Sequence, residues 1–256
     1  MGKGRRLRQR RGWAYATAIT LIRPPLLALT SRDWRDGDKI PATGGCVIAV
    51  NHVSHLDPIT LAHFLLHQGR LARYLAKEAL FHTPFIGAVV RNAKQIPVRR
   101  MSATAVTAFD AAVQAVHDGE CVVVYVEGTI TRDPDGWPMR GKTGAARIGL
   151  ATGCPVIPVG QWGAQDILPA YTARPHLFPR RTTAYKVGDP VDLEDLRGKP
   201  PTNEVLHEAT DRIMAAITAQ VAELRGEEPP AERFDPKKHG VPEVGNFRKD
   251  ERRRTS

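Results

Sequence analysis

Three short, almost wholly apolar runs, at 46–50, 122–126 and 156–159, constrain the fold of this chain more than any other feature. Cys46-Val47-Ile48-Ala49-Val50, Val122-Val123-Val124-Tyr125-Val126 and Val156-Ile157-Pro158-Val159 are rich in β-branched residues and shorter than ordinary helices, so each predicts a buried strand. Helical patterns lie between them. Residues 59–66 read as one helix. In another, Val106, Phe109, Val113 and Val116 recur at spacings of three and four, with Ser102 placed as N-cap and Gly119 as terminator. Leu206, Ile213, Ile217, Val221 and Leu224 form a further apolar face. Buried strands alternating with amphipathic helices predict an α/β fold, with a largely parallel central sheet flanked by helices.

With 256 residues the chain can bury one large core without disulfide staples. Cys46, Cys121 and Cys154 are widely spaced among apolar neighbours and read as buried thiols, with no metal-ligand spacing. Three regions are expected: a basic tail with amphipathic N-terminal helices over 1–39, the main domain over 40–225, and a disordered charged tail over 226–256. Within the first, the Pro24-Pro25 pair predicts a break between two short helices. The same pair interrupts the apolar run, and no small-residue cleavage site follows, so the segment reads as retained rather than as a signal peptide.

The net charge of +10 favours polyanionic partners. Nucleic acid is not expected among them, since the basic residues concentrate in the two tails and no nucleic-acid motif is present. An anionic membrane surface fits the N-terminal pattern better. Lys3, Arg5, Arg6, Arg8, Arg10 and Arg11 precede an apolar stretch opened by Trp13 and Tyr15. No apolar run is long enough to span a bilayer, so the expected location is peripheral, on the cytoplasmic face of the cell membrane.

Chemistry concentrates immediately after the first strand, in Asn51-His52-Val53-Ser54-His55-Leu56-Asp57-Pro58. Catalytic groups of open α/β sheets lie beyond the carboxyl ends of strands. If the chain turns there, the Asp57 carboxylate can reach His52, orient its imidazole and stabilise the imidazolium formed when the other ring nitrogen takes a proton. A loop histidine and a capping Ser54 are the plain alternatives. A serine hydrolase is disfavoured because no Gly-x-Ser-x-Gly elbow surrounds Ser54, and a catalytically silent lipid-binding module because His52, Asp57 and Glu127 are all retained. A second charged turn, Glu127-Gly128-Thr129, follows the second strand, either lining the same crevice or serving as an ordinary turn.

Taken together, these blocks resemble those of the glycerol-phosphate acyltransferase family, most closely its 1-acylglycerol-3-phosphate acyltransferases. His52 and Asp57 match the family's His-x4-Asp block. The segment 77–100 is similar to its second region, Glu127-Gly128-Thr129 to its third, and Cys154-Pro155-Val156-Ile157-Pro158-Val159 to its fourth. The resemblance covers roughly 40–190. It implies that His52 is the general base and Asp57 its orienting partner. It also implies that Arg100, Lys77, Glu127, Gly128 and Thr129 bind the acceptor, a lysophospholipid. The acyl donor is then acyl-CoA or acyl carrier protein, used as substrate, with no bound cofactor and no metal. The implied reaction forms phosphatidic acid in phospholipid synthesis. One departure bears on the acceptor: Ile130 stands where the third block usually carries arginine, which leaves Arg132 or Arg140 as possible replacements and a glycolipid as an alternative acceptor.

Overall fold

The computed structural model describes residues 4–7, 9, 12–84, 86–98, 104–172 and 174–242. Its strands are β1 (Thr30–Arg35), β2 (Cys46–Val50), β3 (Ala72–Lys77), β4 (Ile96–Val98), β5 (Cys121–Tyr125), β6 (Val156–Trp162) and β7 (Arg181–Val187). They form one seven-stranded sheet in the order β1-β7-β6-β2-β5-β3-β4. Every pairing is parallel except β6 with β7. The helices are α1 (Trp13–Leu29), α2 (Asp57–His67), α3 (Ile86–Asn92), α4 (Thr104–His117), α5 (Gly144–Thr152), the single turn α6 (Ala164–Ile167) and α7 (Asn203–Arg225).

The apolar runs are central strands covered on both faces, which is why they show no polar alternation. Val47, Ala49, Val122, Val124 and Val156 point to one layer, where α4, α5 and α7 contribute Ala112, Ile148, Ile213 and Ile217. Their neighbours Ile48, Val50, Val123, Ile157 and Val159 point to the other, against Leu61, Phe64 and Leu65 of α2. Strand β2 lies in the middle of the sheet, so its carboxyl end opens between the ends of β5 and β6.

Three expectations need correction. The Pro24-Pro25 pair does not break α1, which runs unbroken to Leu29. Both prolines lie on its exposed side, so the carbonyls deprived of an N–H donor can face water. The boundary at 39 also fails: residues 30–35 are not part of a separate N-terminal segment but the edge strand β1, in register with β7. Finally, the tail is not disordered from 226 onward. Residues 226–242 lie on the body, where Asp235 pairs with Arg140 at 2.9 Å, Arg233 pairs with Asp211, and Phe234 stacks on His239. Ser102, the expected cap of α4, and the tail beyond 242 fall outside the described residues.

Candidate active site

Strand β2 delivers its last residue, Val50, into a backbone bond with Val126 N–H, which ties the two strand ends together. Beyond it, Asn51 and Gln161 lock the turn to β6. The Asn51 amide donates to the Gln161 carbonyl at 3.1 Å and accepts from Gln161 N–H at 2.9 Å, while the Gln161 amide donates to the Asn51 carbonyl at 2.6 Å. The chain then turns into α2, and Asp57, its first residue, folds back. Its Oδ2 lies 2.7 Å from His52 Nδ1 and accepts N–H bonds from Val53 at 2.7 Å and Ser54 at 2.9 Å. Asp57 is fully buried; the His52 side chain remains 15% exposed. A carboxylate accepts and cannot donate, so the pair requires the proton on Nδ1 and leaves the Nε2 lone pair toward the site. This is the arrangement of a general base and its orienting acid.

The His52 backbone is clamped as firmly as its ring. Its N–H donates to Glu127 Oε1 at 2.9 Å, and its carbonyl accepts from Thr131 N–H at 2.8 Å. Glu127 Oε2 accepts from Met139 N–H at 3.1 Å. Glu127 is 1% exposed, and burial pushes its pKa up to about 8 against the opposing pull of these bonds. The resemblance assigned this side chain to the acceptor. In the structure it braces the site, because both oxygens accept from backbone N–H groups of two loops. Gly128 follows at φ +72°, where a side chain would be strained, and an added Cβ would lie 3.1 Å from the Lys142 stem. Thr129 is partly exposed.

The remaining candidates divide. Ser54 is buried; its Oγ donates to the Leu168 carbonyl at 2.7 Å and accepts from Leu56 N–H, so it shapes the turn. His55 is exposed, edge-on to Tyr171 at 6.3 Å. Lys77 ends β3, and Arg100 lies outside the described residues. Of the two arginines that might replace the one missing at Ile130, Arg140 pairs with Asp235. Arg132 is buried with its guanidinium over the Tyr171 ring at 4.8 Å. No group of potential metal ligands occurs among the described residues.

Two features were not legible as functional in the sequence. The first is a stack of aromatic rings: Tyr125 covers the His52 imidazole at 4.2 Å and 25°, and Tyr74 lies parallel to Tyr125 at 6.1 Å. An aromatic face favours an imidazolium beside it. Tyr125→Leu is therefore expected to lower turnover roughly two- to thirty-fold in a folded protein. Tyr125→Phe should retain activity. Its hydroxyl is buried with no partner among the described residues, so deletion should raise stability by about 1 kcal/mol. Turnover and thermal unfolding of the two variants check both statements; equal turnover of Leu and Phe variants would refute a role for the ring face. The second feature is an apolar cavity of about 260 Å³ between α1, α2 and α3. Ile19, Ile22, Leu26, Ile59, Val89 and Tyr74 are among the residues that line it. Tyr74 belongs to both features, so the cavity abuts the stack that carries His52. Tyr15, expected at a membrane interface, also lines it, and its hydroxyl donates to the Ala72 carbonyl at 3.0 Å.

Comparison with known proteins places this geometry in a family. The Acyltransferase family model matches residues 32–162, just over half of the chain, including His52, Asp57 and Glu127. A chloroplastic 1-acyl-sn-glycerol-3-phosphate acyltransferase from Brassica napus is 32% identical over 125 residues, covering 48% of this chain and 35% of that protein. A 1-acyl-sn-glycerol-3-phosphate acyltransferase from Bacillus subtilis is 26% identical over 180 residues, covering 70% and 83%. The chain thus spans about a third of the plant relative's length and most of the bacterial one. The crystal structure of the 1-acyl-sn-glycerophosphate (LPA) acyltransferase PlsC from Thermotoga maritima shares the fold, with a TM-score of 0.60 at 22% identity, covering 84% of this chain and 82% of that one. A seven-stranded sheet carrying a His-x4-Asp pair, and a family match that spans it, establish that this chain belongs to the acyltransferase family.

Proposed function

We propose that this protein transfers a fatty acyl group from a thioester to the free hydroxyl of a 1-acylglycerol-3-phosphate, forming phosphatidic acid for phospholipid synthesis. The observation that carries the reading is the 2.7 Å contact between His52 Nδ1 and the buried Asp57 carboxylate, at the carboxyl end of the central strand. His52 Nε2 takes the hydroxyl proton as the oxygen attacks the thioester carbonyl. The tetrahedral adduct collapses, the C–S bond breaks, and the imidazolium returns its proton to the departing thiolate. The carboxylate below the ring stabilises the transient positive charge. The apolar cavity beside Tyr74 takes an acyl chain.

The acceptor's phosphate calls for cations near the mouth of the site. Arg100 and Lys77 fill that role by the family pattern, with Gly128 and Thr129 at the opposite turn. Arg100→Ala is expected to raise the acceptor KM about ten- to a hundred-fold, the loss of one charge-assisted hydrogen bond of about 1.5–3 kcal/mol, and to leave the donor KM nearly unchanged. A change confined to the donor KM would move Arg100 to the carrier site.

A second acceptor class is favoured by one observation. Ile130 occupies the usual arginine position and is buried, 2% exposed, so that position itself offers the phosphate no charge. A lipid with a larger headgroup is the corresponding alternative. A transfer assay separates the two: acyl-CoA and acyl carrier protein as donors, against lysophosphatidic acid and a panel of lysolipids and glycolipids, with products resolved by mass spectrometry. Transfer to lysophosphatidic acid supports the first reading, and transfer only to glycolipids the second. Thioester hydrolysis without transfer sinks both.

The reaction requires a bilayer surface, and no helix among the described residues is long and apolar enough to cross one. Peripheral attachment at the cytoplasmic face fits this, with Trp13, Leu21 and Ile22 exposed along α1. The Arg5 guanidinium donates to the carbonyls of Ile40 and Asp38, each at 2.8 Å, and so is held against the body.

A further inference from the structure

The loop between α6 and β7 begins inside the active site and ends on the surface. At its start, the Leu168 carbonyl holds Ser54 Oγ at 2.7 Å. Tyr171 then donates to the Ile130 carbonyl at 2.9 Å and lies edge-on to His55. His176 N–H returns to the Ile167 carbonyl. The loop then presents Leu177, 38% exposed, and Phe178, 80% exposed. Its last residue, Arg180, donates from Nη2 to the carbonyls of Leu27 at 2.8 Å and Thr30 at 2.5 Å, at the carboxyl end of α1.

Three features of this loop coincide. A phenylalanine is a residue that folding normally buries, yet this one projects almost fully beside a leucine. The stretch 171–181 carries Arg174, Arg180 and Arg181 and no acidic residue, and α1 carries Arg23 and likewise no acidic residue. The Arg180 latch makes the tip continuous with α1, whose exposed Leu21 and Ile22 form the neighbouring apolar surface. An apolar tip on a loop whose only formal charges are cationic complements an interface of anionic headgroups over acyl chains. An acidic or uncharged protein groove would use one half of that chemistry and leave the other unmatched.

We propose that Leu177 and Phe178 form a bilayer-inserting tip that, with α1 as the second contact, seats the protein on an anionic membrane with the mouth of the His52 site toward the lipid. The inference rests on the reading that the acceptor is a membrane lipid. Two contacts on different elements, joined at Arg180, fix an orientation that one helix lying in the interface leaves free to roll. Because the tip belongs to the loop that holds Ser54 and carries Tyr171, that orientation brings the bilayer to the rim of the site.

The test uses the full chain and an environment-sensitive NBD label on one introduced cysteine. All three native cysteines are buried and resist labelling. The label is placed in turn at Phe178→Cys, at Trp13→Cys on α1, and at Glu194→Cys. Glu194 lies beside Leu193 and Leu196 of the opposite core layer, and so on the far side of the sheet. Vesicles of equimolar phosphatidylglycerol and phosphatidylcholine are expected to blue-shift the labels at 178 and 13 and to leave that at 194 unchanged. Spin-labelled lipids should quench only the first two. If 13 responds while 178 behaves as 194 does, the tip does not insert and the proposal is overturned, although the membrane reading stands. If no label responds and the protein stays in the supernatant, the membrane reading fails and takes the proposal with it. In parallel, Phe178→Ser is expected to weaken vesicle partition about tenfold while leaving transfer to a short-chain, water-soluble acceptor unchanged. An equal loss on both acceptors would assign Phe178 to the architecture of the site and overturn its role at the membrane.

Discussion

Replacing His52 by alanine is expected to lower acyl transfer by about a hundred- to ten-thousand-fold while the protein remains folded. The side chain is held from several directions, but its backbone anchors survive the change: the bonds to Glu127 and from Thr131 use only His52 N–H and C=O. What disappears is the one group placed to take the hydroxyl proton. Asp57→Asn should be nearly as damaging for a different reason. The Asn carbonyl can take the place of Oδ2 and keep the bonds from Val53 N–H, Ser54 N–H and His52 Nδ1, so the turn and the tautomer are retained, yet a neutral amide does not stabilise the charge of the imidazolium. Ser54→Ala removes a hydroxyl already engaged with Leu168 and Leu56, and costs turnover far less. Steady-state kinetics with circular dichroism on each variant decide the matter. Near-normal turnover in a folded His52→Ala protein would remove the general-base mechanism. A dead Ser54→Ala enzyme would reopen the hydrolase alternative.

The catalytic pair was legible in the sequence because it is local. His52 and Asp57 lie five residues apart across one strand-to-helix turn, so a run of apolar residues and a proline suffice to place them. The central strands were legible for a related reason: β2, β5 and β6 are covered on both faces, and burial writes itself as uninterrupted Val and Ile. Strand β1, Thr-Ser-Arg-Asp-Trp-Arg, is a partly exposed edge whose charges hide its pairing with β7. In β3 the buried Arg73 breaks the apolar pattern, and its burial is tolerable only because Glu120 lies 2.8 Å away and the Ala93 carbonyl accepts from its Nη1. The docking of 226–242 depends on partners such as Arg140, about a hundred positions earlier, and composition alone reads as disorder there. Glu127 shows the same limit inside the site. Its position near the crevice follows from β5, but its role follows from the register that sets β5 beside β2 and brings His52 N–H onto its carboxyl.

Glu127 is expected to make the stability of this protein depend on pH. Burial raises its pKa from 4.5 in the open chain to about 8 in the folded protein. The folded state therefore keeps a proton that the unfolded state has already released, and between these values the native form binds more protons. Stability then falls as pH rises. The contribution is fully present below about pH 4.5, declines with a slope approaching about 1.4 kcal/mol per pH unit, and is gone once pH has passed through about 8. Glu127→Gln keeps the size of the side chain and cannot ionise, so its unfolding temperature should lack this decline and gain on the parent steadily between pH 5 and pH 9. Glu127→Ala should be severe at every pH. It leaves His52 N–H and Met139 N–H buried without acceptors, at about 1–3 kcal/mol each, and opens a cavity under the catalytic loop. Thermal unfolding of the three proteins across that pH range is the measurement. Parallel curves for the parent and Glu127→Gln would show that Glu127 is ionised throughout. The side chain would then be a buried charge held by its two N–H bonds, and its proton would have no part in the stability of the site.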